Sequence, residues 1–138
     1  MAAAQKAIPV PTDRDRPYWE GAHDHKLVLQ RCTRCSLLSA QPRVVCPRCH
    51  GTEFDWTQVS GRGVIYGYGI LRQTPAPGFA DELPAVLVHV QIDEEPTCVI
   101  TANLLVDESE YDKLDINLPV EVTFEDRGEV TVPQFKLA

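Results

Sequence analysis

Apolar residues recur at every second position through much of the C-terminal half of the chain. "AVLVHVQID" sets Val86, Val88, Val90 and Ile92 on one face, and "TCVITANL" returns with Cys98, Ile100, Ala102 and Leu104 in phase. A period of two marks a strand with one buried face. "GVIYGYGILRQ" alternates Val64, Tyr66, Tyr68 and Ile70 against Ile65, Gly67, Gly69 and Leu71. Two glycines on one face predict close backbone approach or strong coiling, as in a small barrel. "PVEVTFED" and "VTVPQFKL" read as two further strands around the turn signal "DRG". Between the third and fourth strands, "VDESEYDKL" opens on Asp107 as a cap with an acidic first turn, which predicts a short helix. Five strands with a helix in that place predict an OB-fold barrel over residues 61–138. An SH3-like barrel is the nearest alternative, and the helix before "LPVEV" favours the OB-fold.

The N-terminal part lacks this rhythm. Residues 1–16 carry Pro9, Pro11 and alternating charges, and read as a flexible or extended lead-in. A short helix is expected over Pro17–His23, with proline in its first turn and Tyr18 and Trp19 forming an apolar side. Leu27–Gln30 read as a strand, and "TEFDWTQVSG" returns to an extended pattern. The fold class is therefore all-β, with a first unit over residues 17–60 and the barrel after it.

The chemistry concentrates in "CTRCSLLSAQPRVVCPRCHG", which holds four of the five cysteines as two C-x-x-C pairs. Each such turn places two thiolates on one side of a tetrahedron, so Cys32, Cys35, Cys46 and Cys49 predict one structural Zn²⁺. Two disulfides, a redox C-x-x-C and an iron site are the competing readings. Disulfides suit a secreted chain, whereas "MAAAQKAIPV" lacks a charged n-region and a long apolar run, and a cytoplasmic location is expected. A redox motif normally comes singly on a βαβ unit. Four thiolates leave the metal no open position, so the site is expected to be structural, and no catalytic residue is expected in the chain. His50 reads as a surface residue, His23 and His25 as solvated helix-end residues, and Cys98 as core.

Charge separates the two units. Residues 26–50 contain Lys26, Arg31, Arg34, Arg43 and Arg48 and no acidic residue, while residues 61–138 carry five Lys/Arg against fourteen Asp/Glu. An acidic barrel repels phosphate backbones, which weighs against nucleic acid as a partner. Tyr66 and Tyr68 could stack bases, but they lack interleaved Lys or Arg, so packing or a protein interface is the better reading. No apolar run reaches membrane-span length, and no membrane association is expected.

Taken together, "YWEG", "CTRC…CPRCHG", "GRGVIYGYGILRQTPAPGF…LP" and "NLPVEVTFED" resemble the zinc-ribbon/OB-fold proteins associated with acyl-CoA enzymes, a family once catalogued as a domain of unknown function. The resemblance spans roughly residues 17–136. It implies a rubredoxin-like ribbon and a non-catalytic accessory subunit that joins a thiolase-fold catalytic subunit, a thiolase or aldolase, in a hetero-oligomer. It also implies contact with acyl-CoA or its pantetheine arm. Arg62, Arg72 and Phe79 then become candidates for CoA contact, and Tyr18 and Trp19 for the partner interface. The second knuckle usually continues with glycine, whereas His50 follows Cys49 here. The runner-up reading is a nucleic-acid-binding OB-fold/zinc-ribbon protein.

Overall fold

The computed structural model describes residues 6–74 and 76–138. Helix α1 (Arg16–His23) has Pro17 in its first turn, where the missing N–H would have lacked an intrahelical partner anyway. Just before it, the Thr12 N–H and hydroxyl both donate to the Asp15 carboxylate, at 2.7 and 2.9 Å. The helix is closed by the Lys26 N–H, which donates to the Gly21 carbonyl at 2.8 Å, and by a left-handed His25 with φ 57°.

Strands β1 (Leu27–Cys32), β2 (Leu38–Ser39) and β3 (Phe54–Val59) form an antiparallel sheet in the order β2-β1-β3. Strands β4 (Arg62–Leu71), β5 (Ala85–Ile92), β6 (Val99–Leu104), β7 (Pro119–Arg127) and β8 (Val130–Leu137) close into a barrel in the order β4-β5-β6-β8-β7. The five expected barrel strands are present, in OB-fold order. The helix expected after β6 is a 3-10 turn, Glu108–Lys113, capped by Asp107, whose carboxylate accepts from the Ser109 N–H at 2.9 Å.

Val86, Val88, Val90 and Ile92 are all buried, as are Cys98, Ile100 and Leu104, so the phase read for β5 and β6 holds. The barrel closes where β6 and β8 run parallel, through one bridge, Leu104 with Phe135. Buried Gln134 completes that seam: its Oε1 accepts from the Asn103 N–H at 2.9 Å, and its Nε2 donates to Glu125 at 3.4 Å. A side-chain amide thus replaces ladder bonds that the short parallel contact cannot make.

Strand β4 departs from simple alternation. Ile65 pairs with Val90 and Gly67 with His89, leaving Tyr66 as the extra residue of a bulge. Residues directly opposite each other share a side, so Ile65 and Tyr68, opposite Val90 and Val88, both face inward. Tyr66 and Tyr68 therefore do not form the single aromatic face that the sequence suggested. The Tyr68 hydroxyl donates to the Leu114 carbonyl at 3.0 Å and its side chain is 39% exposed, against 61% for Tyr66. The strong coiling lies in the bulge, and close backbone approach is absent from Gly67 and Gly69: a Cβ on either would meet nothing within 4 Å. The tight crossings belong to Gly61 and Gly63 at the start of the strand.

Leu27, Leu29, Leu38 and Val59 of the small sheet share one cluster with Ile65, Val88, Ile100 and Phe135 of the barrel. The two units therefore pack through a common core. A second, smaller cluster of Cys32, Leu37 and Cys46 lies under the cysteine loops. The lead-in is extended and tied to the barrel from Lys6 onward. Lys6 pairs with Glu82 and Glu125, and Arg127 donates to the Ala7 carbonyl at 3.3 Å. Residues 1–5, also assigned to the lead-in, lie outside the described residues. Among the described residues no helix is long and apolar enough to cross a membrane.

Candidate functional site

The two C-x-x-C loops are copies of one turn. The Cys32 N–H donates to the Leu37 carbonyl at 2.9 Å, and the Cys46 N–H to the Gly51 carbonyl at 2.8 Å. The Ser36 and His50 N–H groups return to the carbonyls of Cys32 and Cys46, each at 2.9 Å. Ser36 and His50 both adopt a left-handed backbone, φ 66° and 62°. Glycine would adopt that conformation without a Cβ penalty, which gives a physical reason for the glycine expected after the second knuckle. His50 is exposed and outside the ligand set. His50→Gly is expected to raise stability by about 0.5–1 kcal/mol while zinc stays at one per chain. Urea unfolding of the zinc-loaded protein measures the first and elemental analysis the second.

The four Sγ atoms lie within 4.8 Å of one another, with Cys32–Cys49 at 3.6 Å and Cys35–Cys46 at 3.5 Å. A tetrahedron with ~2.3 Å metal–sulfur bonds has edges of ~3.8 Å, so the sulfurs stand where one ion would hold them. All four are free thiols, well beyond disulfide bonding distance. The amides of Cys35 and then Arg34 hold Cys32 below the ordinary thiol range. Those of Cys49 and Arg48 bring Cys46 down to about 6 against the effect of burial. Cys35 moves the other way: the Leu37 amide lowers it, but desolvation and its sulfur neighbours push it up to about 12. Crowded thiolates of this kind need a cation, and a closed set of four suits structural Zn²⁺.

Tyr18 packs against the main core, and burial, with Asp15 nearby, pushes its hydroxyl up to about 12. Trp19 meets it edge-on, with ring centroids 4.9 Å apart and planes at 87°. The indole N–H is buried without a hydrogen-bond partner among the described residues. Trp19 walls a recess of about 680 Å³ between α1, the ribbon loop and the start of β6. Both aromatic interface candidates are half-buried and line this recess, and Tyr18 also packs against the main core.

The three CoA candidates are not brought to one point. Arg62 and Arg72 sit at opposite ends of β4, about 30 Å apart at the usual rise per residue. Arg72 approaches Glu108 at 3.8 Å. Phe79 lies beneath two cations, with Lys6 Nζ 5.5 Å and Arg127 Cζ 5.6 Å from its ring centroid. Phe79 also lines a hollow of about 180 Å³ with Leu71, the residue before Arg72. His25 stacks on Phe124 at 5.0 Å, and among the described residues the four cysteines are the only cluster suited to a metal. Sequence reasoning missed the cation pair over Phe79, because Lys6, Phe79 and Arg127 are far apart in the chain.

Ribbon, closed thiolate site and five-stranded barrel define a zinc-ribbon/OB-fold protein. Residues 19–55 match the family profile "ChsH2, rubredoxin-like zinc ribbon domain", and residues 56–125 match "ChsH2, C-terminal OB-fold domain". The chain belongs to this ChsH2-type DUF35 family, which is associated with acyl-CoA enzymes. A probable enoyl-CoA hydratase alpha subunit of Thermomonospora curvata is 34% identical over 128 residues, covering 91% of this chain and 38% of that protein. A DUF35 domain-containing scaffold protein of Methanocaldococcus jannaschii is 30% identical over 69 residues, covering 49% and 48%. The chain thus spans less than half the length of these two curated relatives. Among solved structures, a chain of the Ltp2-ChsH2(DUF35) aldolase is similar at a TM-score of 0.80 and 28% identity, covering 94% of this chain and 98% of that one. A DUF35 protein of Sulfolobus solfataricus shares the fold, with a TM-score of 0.61 at 10% identity over 91% and 86% of the two chains.

Proposed function

We propose that this chain is a non-catalytic accessory subunit of a thiolase-superfamily acyl-CoA enzyme, supporting assembly of the complex and binding of the acyl-CoA. The observation that carries this reading is the end-to-end likeness to one chain of an aldolase, over 94% of this chain. The names of the curated relatives, an alpha subunit and a scaffold protein, agree with a companion role. So does the chemistry of the described residues, where the metal site is closed and the remaining cysteine, Cys98, is buried and pushed up to about 11 by desolvation, with Glu95 nearby. For the acyl-CoA, Phe79, which lines a hollow with Leu71, is the best-placed of the three candidates to meet a pantetheine arm. The rival reading, nucleic-acid binding, is weakened by the separation of Tyr66 from Tyr68 and by the acidic barrel.

Affinity purification of a tagged chain from its native host should bring down a thiolase-like catalytic subunit in fixed stoichiometry. The purified chain alone should turn over no acyl-CoA ester, and cleavage or condensation by it alone would end the accessory reading. Trp19→Ala should weaken the complex by at least about tenfold, the loss typical of an interfacial aromatic, with zinc content unchanged. If that variant binds as tightly as the parent, the subunit role stands but α1 is not its anchor.

A further inference from the structure

The segment joining β2 to the second knuckle, residues 40–45, is exposed but held from below. Gln30 on β1, only 6% exposed, clamps the Arg43 backbone. The Arg43 N–H donates to Gln30 Oε1 at 2.7 Å, and Gln30 Nε2 donates to the Arg43 carbonyl at 3.1 Å. A buried amide that engages both backbone groups of one residue, and so the two peptide units flanking it, fixes the loop's conformation. The loop so fixed displays Val44 and Val45, 61% and 49% exposed. Two adjacent β-branched side chains left about half or more in water add little to the fold, and a rigid apolar display of this kind suits recognition.

Charge identifies what it recognises. Arg31 and Arg48 are paired within the chain, with Asp55 and Glu95. Arg34 and Arg43 have no ion pair among the described residues, and residues 26–50 contain no carboxylate. The recess walled by Trp19, Arg43 and Arg48 reaches Arg43, the residue before the valines; Asp15 also lines it, on the side of α1. We infer that Arg43, Val44 and Val45 anchor the interface with the catalytic partner, meeting an apolar cleft rimmed by carboxylates. This rests on the accessory-subunit reading. A second copy of this chain is the weaker occupant. A symmetric contact would set the ribbon's arginines against themselves, and a head-to-tail contact with the acidic barrel would build a ring or an open filament rather than a simple pair.

The test uses the catalytic chain that co-purifies with the tagged parent. It is titrated with the parent, the double variant Val44→Asp/Val45→Asp, Arg43→Glu, and Tyr66→Asp as an exposed barrel control. Placing unpaired carboxylates in the interface should raise Kd by at least about a hundredfold for the double variant and about tenfold for Arg43→Glu. The control should stay within about threefold, as expected for a position outside the contact. Zinc content and the urea midpoint should match the parent, since all three residues are exposed. In the parent complex, amide exchange at Val44 and Val45 should slow. If the folded double variant binds like the parent, the inference is overturned while the accessory reading stands. If no partner binds the parent, both fall. If the double substitution instead abolishes self-association of the isolated chain in sedimentation, the surface serves a second copy and the inference is overturned.

Discussion

Cys46→Ser is expected to lose the metal and unfold the ribbon loops. Cys46 is fully buried and packs with Cys32 and Leu37 in a cluster too small to hold the two knuckles by apolar contact alone. Structural zinc in peptides of this kind contributes about 10–16 kcal/mol near neutral pH, and that energy is folding energy. A serine hydroxyl is a far poorer zinc ligand than a thiolate, and it forfeits the two amide contacts, from Cys49 and Arg48, that favour the ionised sulfur. Zinc should fall from one per chain to near zero, and amide exchange over residues 32–51 should become fast. Strands β5, β6 and β8 should keep much of their protection, because their own core does not pass through the cysteine cluster. Cys98→Ser is the matched control: it also removes a buried thiol, but zinc should remain. Full zinc in Cys46→Ser would remove that residue from the ligand set.

The ligands were legible in the sequence because metal geometry is local: two C-x-x-C turns make two halves of a tetrahedron whatever surrounds them. Strands β5 and β6 were legible because Val86 through Ile92, and Ile100 with Leu104, keep an unbroken period of two. The bulge at Tyr66 was not, since it is a property of pairing between β4 and β5, and alternation within β4 alone continues past it. Strand β2 escaped because two residues carry no period. The helix before β7 became a 3-10 turn: its cap was read correctly at Asp107, but six residues give little for an α-helix to propagate. The chain-distant features, Lys6 over Phe79 and Gln30 beneath Arg43, depend on the completed fold. The separation of Arg62 from Arg72, by contrast, already follows from reading the stretch between them as one strand.

The misread glycines yield the sharpest stability contrast. Gly63→Ala is expected to destabilise the protein by at least about 3 kcal/mol, at the upper end of the overpacking range. An added Cβ would lie 2.2 Å from the Gln91 carbonyl oxygen and 2.8 Å from Val90 Cγ1. The first of these is backbone and cannot rotate away. Strand β4 cannot retreat either, because Gly63 is paired on both sides, with Ile92 of β5 and Val120 of β7. Relief requires moving β4 away from β5, and the ladder bonds around Gly63 would be lost with it. Gly67→Ala puts the same methyl four residues along, into open space. It should leave stability within about 1 kcal/mol, with a gain if the backbone there suits alanine, because alanine restricts the unfolded chain. Both variants bind zinc through an untouched ribbon, so urea unfolding of the loaded proteins isolates the barrel's contribution. Equal midpoints for the two would mean that β4 does not cross β5 as closely as the structure has it.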